Sequence, residues 1–546
     1  MATLLVVVPA ARAADPVMPL SEVGQGMRCT GLSVVKGTTI SSFDVEILDV
    51  IAPEAGLSGP RILIKVSGPA VDETGIGPGF SGSPVICEGR NAGGISEGLG
   101  EYGNHVALAT PIEGMLEDRP AAPASARRDP ALLRAARPLQ TPLTVSGLTG
   151  PARTIVERAA RLAKRPLLVA PAGPAGGYAP VDLRPGAALS AAISTGDLAL
   201  GAVGTVTYRD GDDIWAFGHP FEGLGRRALF LTDAYIYTVI QNPVGVPELG
   251  AVTYKLASSD GHVLGSITSD TVDAVAGKVG SEPPKFPLHI DARNRAGERL
   301  TLDSLLADER DLGYGAGLSF VAPLGVTQAL GRLMRDFGPV TFRMCAHFRV
   351  RELRTPMGFC NTYFSVDDAV THLSDAGAMI DFFDLAPLHL ERTAISVRAQ
   401  TGLKEDVLIG ARGPRRVRRG QRIRVRLTVQ RRRGARRQLT VPVSVPRSLR
   451  PGVHRLTFTG SGGGFSDDAL VDELISMLEG ELSDGGGSSE PRTVRQLARR
   501  IKLFRRAVGI RAKFRHRRPQ LVHRSSDVSY DGRAKMTLRV MRRARR

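Results

Sequence analysis

The chain has 546 residues, enough for about three or four domains, and its apolar fraction of 42% is sufficient for sizeable cores. Its 62 glycines and 36 prolines, with few long helical patterns, favour a mostly-β, turn-rich protein. The formal net charge is +18, but the first half is nearly balanced and the excess lies between about Arg412 and the C-terminus.

The N-terminal residues 1–21 resemble the end of a secretory signal peptide. A short apolar run, Leu4–Val8, precedes a small-x-small pattern at Ala11–Ala13, and the basic segment that begins such a leader is missing. We therefore expect a secreted or cell-envelope protein with an apparently truncated signal peptide; the alternative is a frayed N-terminal strand. No other segment approaches the roughly 18 apolar residues that span a bilayer, so we expect no transmembrane span in the mature chain.

Residues 22–118 form the first β-rich region. "FDVEILDVI" and "RILIKVSG" alternate apolar and polar residues as strands do, and "GPGFSGSP" at 77–84 leads into a further strand. Residues 119–140 are rich in Pro, Ala and Arg and show no strand pattern. We expect a linker there, whose arginines make it a candidate cleavage site.

Residues 141–385 form a second β-rich region. "GAVGTVTYRDGDDIWAFGHP" predicts two strands joined by the turn "RDGDD", with His219 directly after the second strand. Its later part mixes helix-like segments such as "GVTQALGRLMRDF" with strands such as "VTFRMCAHFRVRE".

Residues 386–460 predict a basic β-sandwich-like module, and residues 461–546 a basic α/β tail. In "RIRVRLTVQ" arginines alternate with apolar residues, so a strand places them on one solvated face. That face is either an ordinary basic surface or a binding surface for an anionic cell-envelope polymer. Aromatic residues are only 5% of the chain, which argues against base stacking and hence against nucleic-acid binding.

The four cysteines fall into two pairs, each inside one predicted region. For an exported chain, Cys29–Cys87 and Cys345–Cys360 are the natural disulfides among three possible connectivities. The alternative is four buried thiols. Neither a CxxC motif nor a Cys/His spacing indicates a metal, and "GIGPG" at 75–79 lacks the following helix of a nucleotide-binding loop, so we expect no metal and no cofactor.

Ser81, in "GPGFSGSP", has the setting of a nucleophile. A nucleophilic serine needs a tight turn whose backbone N–H groups point at the developing oxyanion, and Gly79 and Ser81 are the predicted donors. The form Gly-x-Ser-Gly-Ser-Pro is chymotrypsin-like, not the elbow of α/β-hydrolases. The predicted base is His219, with His105 as an alternative, and the competing interpretation is an ordinary Gly/Ser turn.

Several blocks together carry a family resemblance. "FDVEILDVI", "ILIKVSGP", "ETGIGPGFSGSPVICEGRNAGGIS", "ATPIEGML" and "GAVGTVTYRDGDDIWAFGHPF" resemble the serine-peptidase domain of the SpoIVB type (stage IV sporulation protein B). The resemblance covers roughly 22–118 and 185–290. It implies a chymotrypsin-like β-barrel peptidase region and a Ser/His mechanism, with the family's serine at Ser81 and its histidine at His219.

The chain departs from the family pattern in two ways. The serine block precedes the histidine block, which is a permuted order that a triad tolerates because it is defined by geometry. The family's acid falls in the tripeptide at 67–69, which contains no carboxylate. Asp72 is the predicted orienting acid, and Glu73 and Asp233 are the alternatives.

These observations predict a serine endopeptidase that hydrolyses proteins or peptides, this chain included, through an acyl-enzyme. The predicted fold is mostly β: a chymotrypsin-like barrel region, then the sandwich-like module and the α/β tail. The alternative is an inactive, peptidase-like cell-envelope protein that binds through its basic C-terminal modules. The missing family acid favours this alternative, because a fold alone does not guarantee activity.

Overall fold

The structure is a computed structural model. It describes residues 15–53, 59–99, 104–117, 122–123, 125–139, 143–146, 148, 150, 152–153, 167–169, 177–246, 251–258, 261–315, 317–334, 340–401, 405–431, 434–460, 491–505, 508–515, 517–525 and 528–541. Residues 1–14 of the predicted signal-peptide-like segment 1–21, and residues 461–490 of the predicted tail, lie outside the described residues.

The fold is mostly β, as the composition and the alternating patterns predicted. The strands are β1 Arg28–Lys36, β2 Thr39–Ile51, β3 Arg61–Ser67, β4 Pro84–Cys87, β5 Arg90–Gly98, β6 Val106–Pro111, β7 Arg137–Pro138, β8 Leu143–Ser146, β9 Leu167–Val169, β10 Ala188–Gly196, β11 Ala199–Asp210, β12 Asp213–Ala216, β13 Gly225–Asp233, β14 Tyr235–Val246, β15 Ala251–Ser258, β16 Val263–Asp270, β17 Val275–Val279, β18 Lys285–Asn294, β19 Arg299–Ala307, β20 Val340–Val350, β21 Met357–Tyr363, β22 Leu390–Thr401, β23 Glu405–Arg412, β24 Arg416–Val417, β25 Arg422–Arg431, β26 Arg436–Ser444, β27 Gly452–Gly460, β28 Gly509–Phe514, β29 Gln520–Arg524 and β30 Ser529–Val540.

Helices are few among the described residues. They are α1 Ile112–Met115, α2 Pro130–Ala135, α3 Leu318–Met334, α4 Val366–Asp381 and α5 Val494–Lys502, with 3₁₀ turns at Leu20–Glu22 and Arg310–Leu312. Side chains of Ser365 and Thr493 cap the N-termini of α4 and α5 by accepting backbone N–H groups. Within the described part of the chain, no helix has the length and apolar character to cross a membrane.

The described residues group into two compact units. One contains residues 15–288 and 303–321, and the other contains residues 289–302, 322–460 and 491–541, each with the gaps given above. The predicted peptidase motifs all lie in the first unit.

Strands β1 to β6 form a closed antiparallel barrel. Each strand pairs with two others in the cyclic order β1-β2-β3-β6-β5-β4. In β2 the residues Phe43, Val45 and Ile47 are buried while the intervening Asp44 and Glu46 are exposed. This period of two gives a barrel with an apolar interior and a solvated exterior.

A second closed antiparallel barrel repeats this topology. Its cyclic order is β10-β11-β12-β17-β16-β13, which is the same order when its strands are counted from one to six. The predicted hairpin is confirmed, since Asp210 pairs with Asp213 across the "RDGDD" turn. An additional hairpin, β14–β15, is inserted between the fourth and fifth strands of this barrel.

Both predicted disulfides are present. Cys29–Cys87 joins β1 to β4, which are the strands that close the first barrel, and Cys345–Cys360 joins β20 to β21. In each case the two cysteines are directly opposite in an antiparallel pair.

The segment expected to be a linker, 119–140, has regular structure in its described part. Helix α2 begins after Asp129, whose carboxylate caps it, and β7 pairs with Glu97 and Gly98 of β5. The Pro/Ala/Arg composition predicted neither element. Strand β7 is only two residues long, so it shows no alternation of apolar and polar residues.

In the second unit, strands β23 to β27 of the predicted module 386–460 and strands β28 to β30 of the predicted tail 461–546 share one eight-stranded sheet, whereas β22 of the module pairs with β20 in another sheet. Strand β23 pairs in parallel with β30, and β27 lies between β30 and β28. The two segments therefore fold together around one core. As predicted, Ile423 and Val425 are buried, and Arg422, Arg424 and Arg426 are exposed.

Candidate active site

The serine motif forms a tight turn, Gly77–Ser83, between β3 and β4. The N–H of Phe80 donates to the carbonyl of Gly77, and the N–H of Ser83 donates to that of Phe80. Gly79 and Gly82 have φ of 96° and 85°, a region that favours glycine. The two glycines therefore allow the turn to fold tightly around Ser81, which is 0% exposed.

Residues of strand β11, in the second barrel, donate hydrogen bonds to the backbone carbonyls of the serine turn. The N–H of Thr205 donates to the carbonyl of Ser81 at 2.9 Å. The hydroxyl of Thr205 donates to the carbonyl of Gly79 at 3.1 Å, and that of Thr207 to the carbonyl of Gly82 at 2.7 Å. These bonds fix the peptide groups of Gly79 and Ser81; that their N–H groups hold an oxyanion stays a prediction.

The histidine motif occupies the corresponding loop of the second barrel, between its third and fourth strands. Phe217 and Gly218 have φ of 71° and 69°. The hydroxyl of Thr110, on β6 of the first barrel, donates to the carbonyl of Gly218 at 2.6 Å. The buried carboxylate of Asp270 accepts the backbone N–H groups of three loop residues: Phe221, Glu222 and Gly223.

The two motif loops touch each other. A Cβ at Gly82 would lie only 2.4 Å from the backbone nitrogen of Phe217 and 2.1 Å from the carbonyl oxygen of Thr205. Two segments about 140 residues apart in the chain therefore meet at the junction of the two barrels. The structure thus brings the blocks that carry the family resemblance into direct contact.

The imidazole of His219 faces two backbone carbonyls. Its Nδ1 lies 2.8 Å from the oxygen of Pro220, and its Nε2 lies 3.1 Å from the oxygen of Leu139. Burial lowers the pKa of His219 below its ordinary value, although these carbonyls and the charges of Glu97 and Asp270 oppose the shift. A neutral imidazole has one N–H, so it satisfies only one of the two carbonyls. To accept a proton from Ser81, His219 must give up one contact.

Asp72 and Asp233, two of the predicted orienting acids, form hydrogen bonds with groups other than His219. Asp72 is exposed and accepts the N–H of Gly68 at 2.7 Å, within its own turn. Asp233 is buried, and its Oδ2 lies 2.9 Å from Nδ1 of His262, so the aspartate–histidine pair at this position involves a different histidine.

Glu73, a candidate acid, contacts Gln241 through its main-chain carbonyl, and His105, a candidate base, directly precedes β6. The carboxylates whose charge acts on His219 are Glu97 and Asp270. Neither residue lies in the sequence block that contains His219, which is why motif spacing did not indicate them.

Sequence reasoning missed a lysine beside the serine turn. Lys255, on β15, is 4% exposed, and its Nζ lies 2.7 Å from Oγ of Ser33. The hydroxyl of Ser83 in turn donates to Ser33 at 2.9 Å. In "AVTYKLAS" a single lysine among alternating residues indicates a solvated strand position, so the sequence carried no signal for this cluster.

Comparisons with protein-family models, curated proteins and solved structures gave no match to this chain. Within the described residues, no group of three or more His, Cys, Asp and Glu side chains is arranged to hold a metal ion.

Proposed function

We propose that the chain is a SpoIVB-type serine endopeptidase of the cell exterior or envelope, acting on protein substrates that include its own chain. The observation that carries the proposal is the contact between the serine loop and the histidine loop at the junction of two barrels of equal topology. The two disulfides are compatible with an extracellular location.

In the proposed mechanism Ser81 attacks the peptide carbonyl and His219 takes its proton. The leaving amine then receives that proton, and water hydrolyses the acyl-enzyme. His219 reaches Ser81 by exchanging its contact with Pro220 or Leu139. For Asp72 to orient the ring, as proposed, it has to leave its own turn, where it accepts the N–H of Gly68. The N–H groups of Gly79 and Ser81 stabilise the oxyanion.

A fluorophosphonate probe tests this function on the full, oxidised chain. We expect covalent labelling of the wild type, and loss of that labelling in Ser81→Ala and His219→Ala identifies these two residues as the reacting pair. The controls are Ser448→Ala and His454→Ala, which alter a serine and a histidine of the second unit. An unlabelled wild-type protein with both disulfides formed would overturn the peptidase proposal.

A second candidate function is binding of an anionic cell-envelope polymer, and a specific surface of the second unit favours it. We call this surface the basic face; its six exposed cations on β27, β28 and β30 are Arg455, Arg511, Lys513, Arg533, Lys535 and Arg539. The outward residues between them are threonines: Thr457, Thr459 and Thr537.

The strand register spaces these charges regularly. Thr457 pairs with Lys513 on one side and with Lys535 on the other, and Thr459 is flanked in the same way by arginines. Neighbouring strands are about 4.8 Å apart, so the cations of one row are separated by about 10 Å. Such a grid attracts a linear polyanion along its length.

Dextran sulfate and uncharged dextran form a matched pair of probes for this function. We expect the full chain to bind dextran sulfate at low ionic strength and not to bind uncharged dextran. Equal binding of the two polymers, or binding of neither, would contradict a polyanion-binding role.

A further inference from the structure

Lys255 comes from a hairpin that covers the serine turn. Its backbone N–H donates to the carbonyl of Pro78 at 2.9 Å, and the hydroxyl of Thr253 donates to the carbonyl of Thr74. The hairpin β14–β15 belongs to the second barrel, whereas the turn belongs to the first. The inserted hairpin thus places Lys255 beside the serine turn of the first barrel.

The Lys255 amine is buried among hydroxyls and an aromatic ring. Its Nζ is 2.7 Å from Oγ of Ser33, 3.4 Å from Oγ1 of Thr205 and 4.4 Å from the ring centroid of Phe80. No described carboxylate forms an ion pair with it. Burial lowers the pKa of this amine to about 7, because an unpaired charge is costly in such surroundings.

A chain of hydroxyls connects the amine to the serine turn. Ser83 donates to Ser33 at 2.9 Å, and Ser33 contacts Lys255. The protonated amine donates to Oγ of Ser33, whereas a neutral amine has a lone pair that can take the proton of Ser33 while Ser33 accepts that of Ser83. This contrasts with His219, whose two nitrogens face carbonyl oxygens that have no proton to give.

We propose that Ser83 is the nucleophile of this site and Lys255 its base, with Ser33 relaying the proton between them. The inference rests on the proposed peptidase function and changes its residue assignment. Ser83 lies in the same turn as Ser81, two residues closer to β4, and serine–lysine pairs are a known variant of the serine–histidine constellation.

The proposed reaction consists of acylation followed by hydrolysis. Oγ of Ser83 bonds to the carbonyl carbon of the substrate, its proton passes to Ser33, and the proton of Ser33 passes to Lys255 Nζ. Collapse of the tetrahedral intermediate breaks the C–N bond, and the leaving amine takes a proton back through the relay. Water then cleaves the ester, with Lys255 again accepting and returning a proton.

The serines and the lysine are buried, so the mechanism requires the hairpin to open when substrate binds and to bring Lys255 back to Ser33 before the proton transfer. Strand β15 also carries Lys255, so the movement that opens the site also moves the base away from Ser33. A substrate segment that pairs beside the turn has to displace the contacts of Thr253 first.

The first test locates the fluorophosphonate adduct in the full wild-type chain by tandem mass spectrometry. In that reaction the Ser83 Oγ–P bond forms, the P–F bond breaks, and fluoride leaves while Lys255 holds the proton. An adduct on Ser83 supports the inference. An adduct on Ser81 overturns it and leaves the peptidase function standing, whereas the absence of any adduct overturns both.

The second test addresses the base. We expect Lys255→Met to slow labelling at least about 100-fold, the usual contribution of a general base, while Lys278→Met, an exposed lysine of the same barrel, has no effect. The wild-type labelling rate should rise with pH around a midpoint near 7. Wild-type rates in a folded Lys255→Met protein, or a rate independent of pH between about 6 and 8, would overturn the inference.

Discussion

Gly82 is the residue at which the two motif loops meet, and its replacement is the most direct test of that junction. In Gly82→Ala the new Cβ would lie 2.1 Å from the oxygen of Thr205 and 2.4 Å from the nitrogen of Phe217. Both neighbours are backbone atoms that cannot move alone. We expect a loss of several kcal/mol in the free energy of unfolding, measured by urea denaturation with the disulfides intact.

Gly89→Ala is the matched control for this change. Gly89 also has a positive φ, 77°, but nothing lies within 4 Å of a Cβ placed there. Its substitution should therefore cost only the backbone strain, about 1 kcal/mol. Equal losses in the two variants would show that the close approach of the loops contributes nothing to stability.

The titration of Lys255 should appear in the pH dependence of stability. Its pKa is about 7 in the folded protein, against an ordinary 10.5. Between these values the unfolded chain binds more protons, so the folded protein gains stability as pH rises. The free energy of unfolding of the wild type should increase, relative to Lys255→Met, by up to about 1.4 kcal/mol per pH unit between about pH 7 and 9.

Subtracting the variant removes the contribution of all other titrating groups that the two proteins share. Lys278→Met serves as control, because the side chain of Lys278 is 52% exposed and we expect the pH profile of this variant to run parallel to that of the wild type. A constant difference between the wild type and Lys255→Met across this range would mean that the amine stays protonated in the folded protein.

Some residues of the site were accessible to sequence reasoning and others were not. Ser81 and His219 were predicted to approach each other, and their loops do meet, because two motif blocks carried that signal together. Lys255 was not predicted, since its burial depends on a hairpin of one barrel packing on a turn of the other. Lys255 and the serine turn are more than 170 residues apart in the chain, and no local sequence pattern indicates a contact at that separation.

At the scale of elements, Gly77→Ala tests whether the hairpin β14–β15 is held down on the serine turn. A Cβ at Gly77 would lie 1.9 Å from the carbonyl oxygen of Thr253, so β15 has to move away. We expect faster amide hydrogen exchange in residues 251–258, including the N–H of Lys255, while the barrel strands keep their protection.

Gly24→Ala is the control, because Gly24 has open space around a Cβ and no unusual φ. Fluorophosphonate labelling of the two variants adds a functional readout. Because β15 also carries Lys255, a strand displaced from the serine turn should make Gly77→Ala react more slowly than Gly24→Ala. Unchanged exchange in 251–258 would show that the hairpin tolerates the added methyl group without moving.

The individual strands were predictable, but their assembly was only partly so. Alternation placed Phe43 and Ile423 inward and Arg424 outward, as observed, because the side-chain period of a strand is two. Alternation does not identify the pairing partner. The parallel pairing of β23 with β30, which merges the predicted module and tail, therefore had no signature in the sequence.

At the scale of the whole molecule, charge is distributed very unevenly along the chain. Residues 405–546 contain 36 of the 72 Lys and Arg residues but only 12 of the 54 Asp and Glu residues. The net positive charge therefore comes from the last quarter of the chain, and residues 1–404 carry a small excess of acid. In the second unit, folding concentrates part of this charge on the basic face.

If the basic face binds polyanions, its cations should set the salt dependence of binding. Neutralising Lys513, Arg533 and Lys535 together to Gln should reduce the slope of log K against log salt by about 3, roughly one for each lost contact. The control changes the exposed Lys278, Arg293 and Arg299 to Gln, which alters net charge equally. These three cations already pair with carboxylates, so we expect the wild-type slope. Equal slopes for both triple variants would mean that net charge alone attracts the polymer and that the arrangement of cations on β27, β28 and β30 has no part in binding.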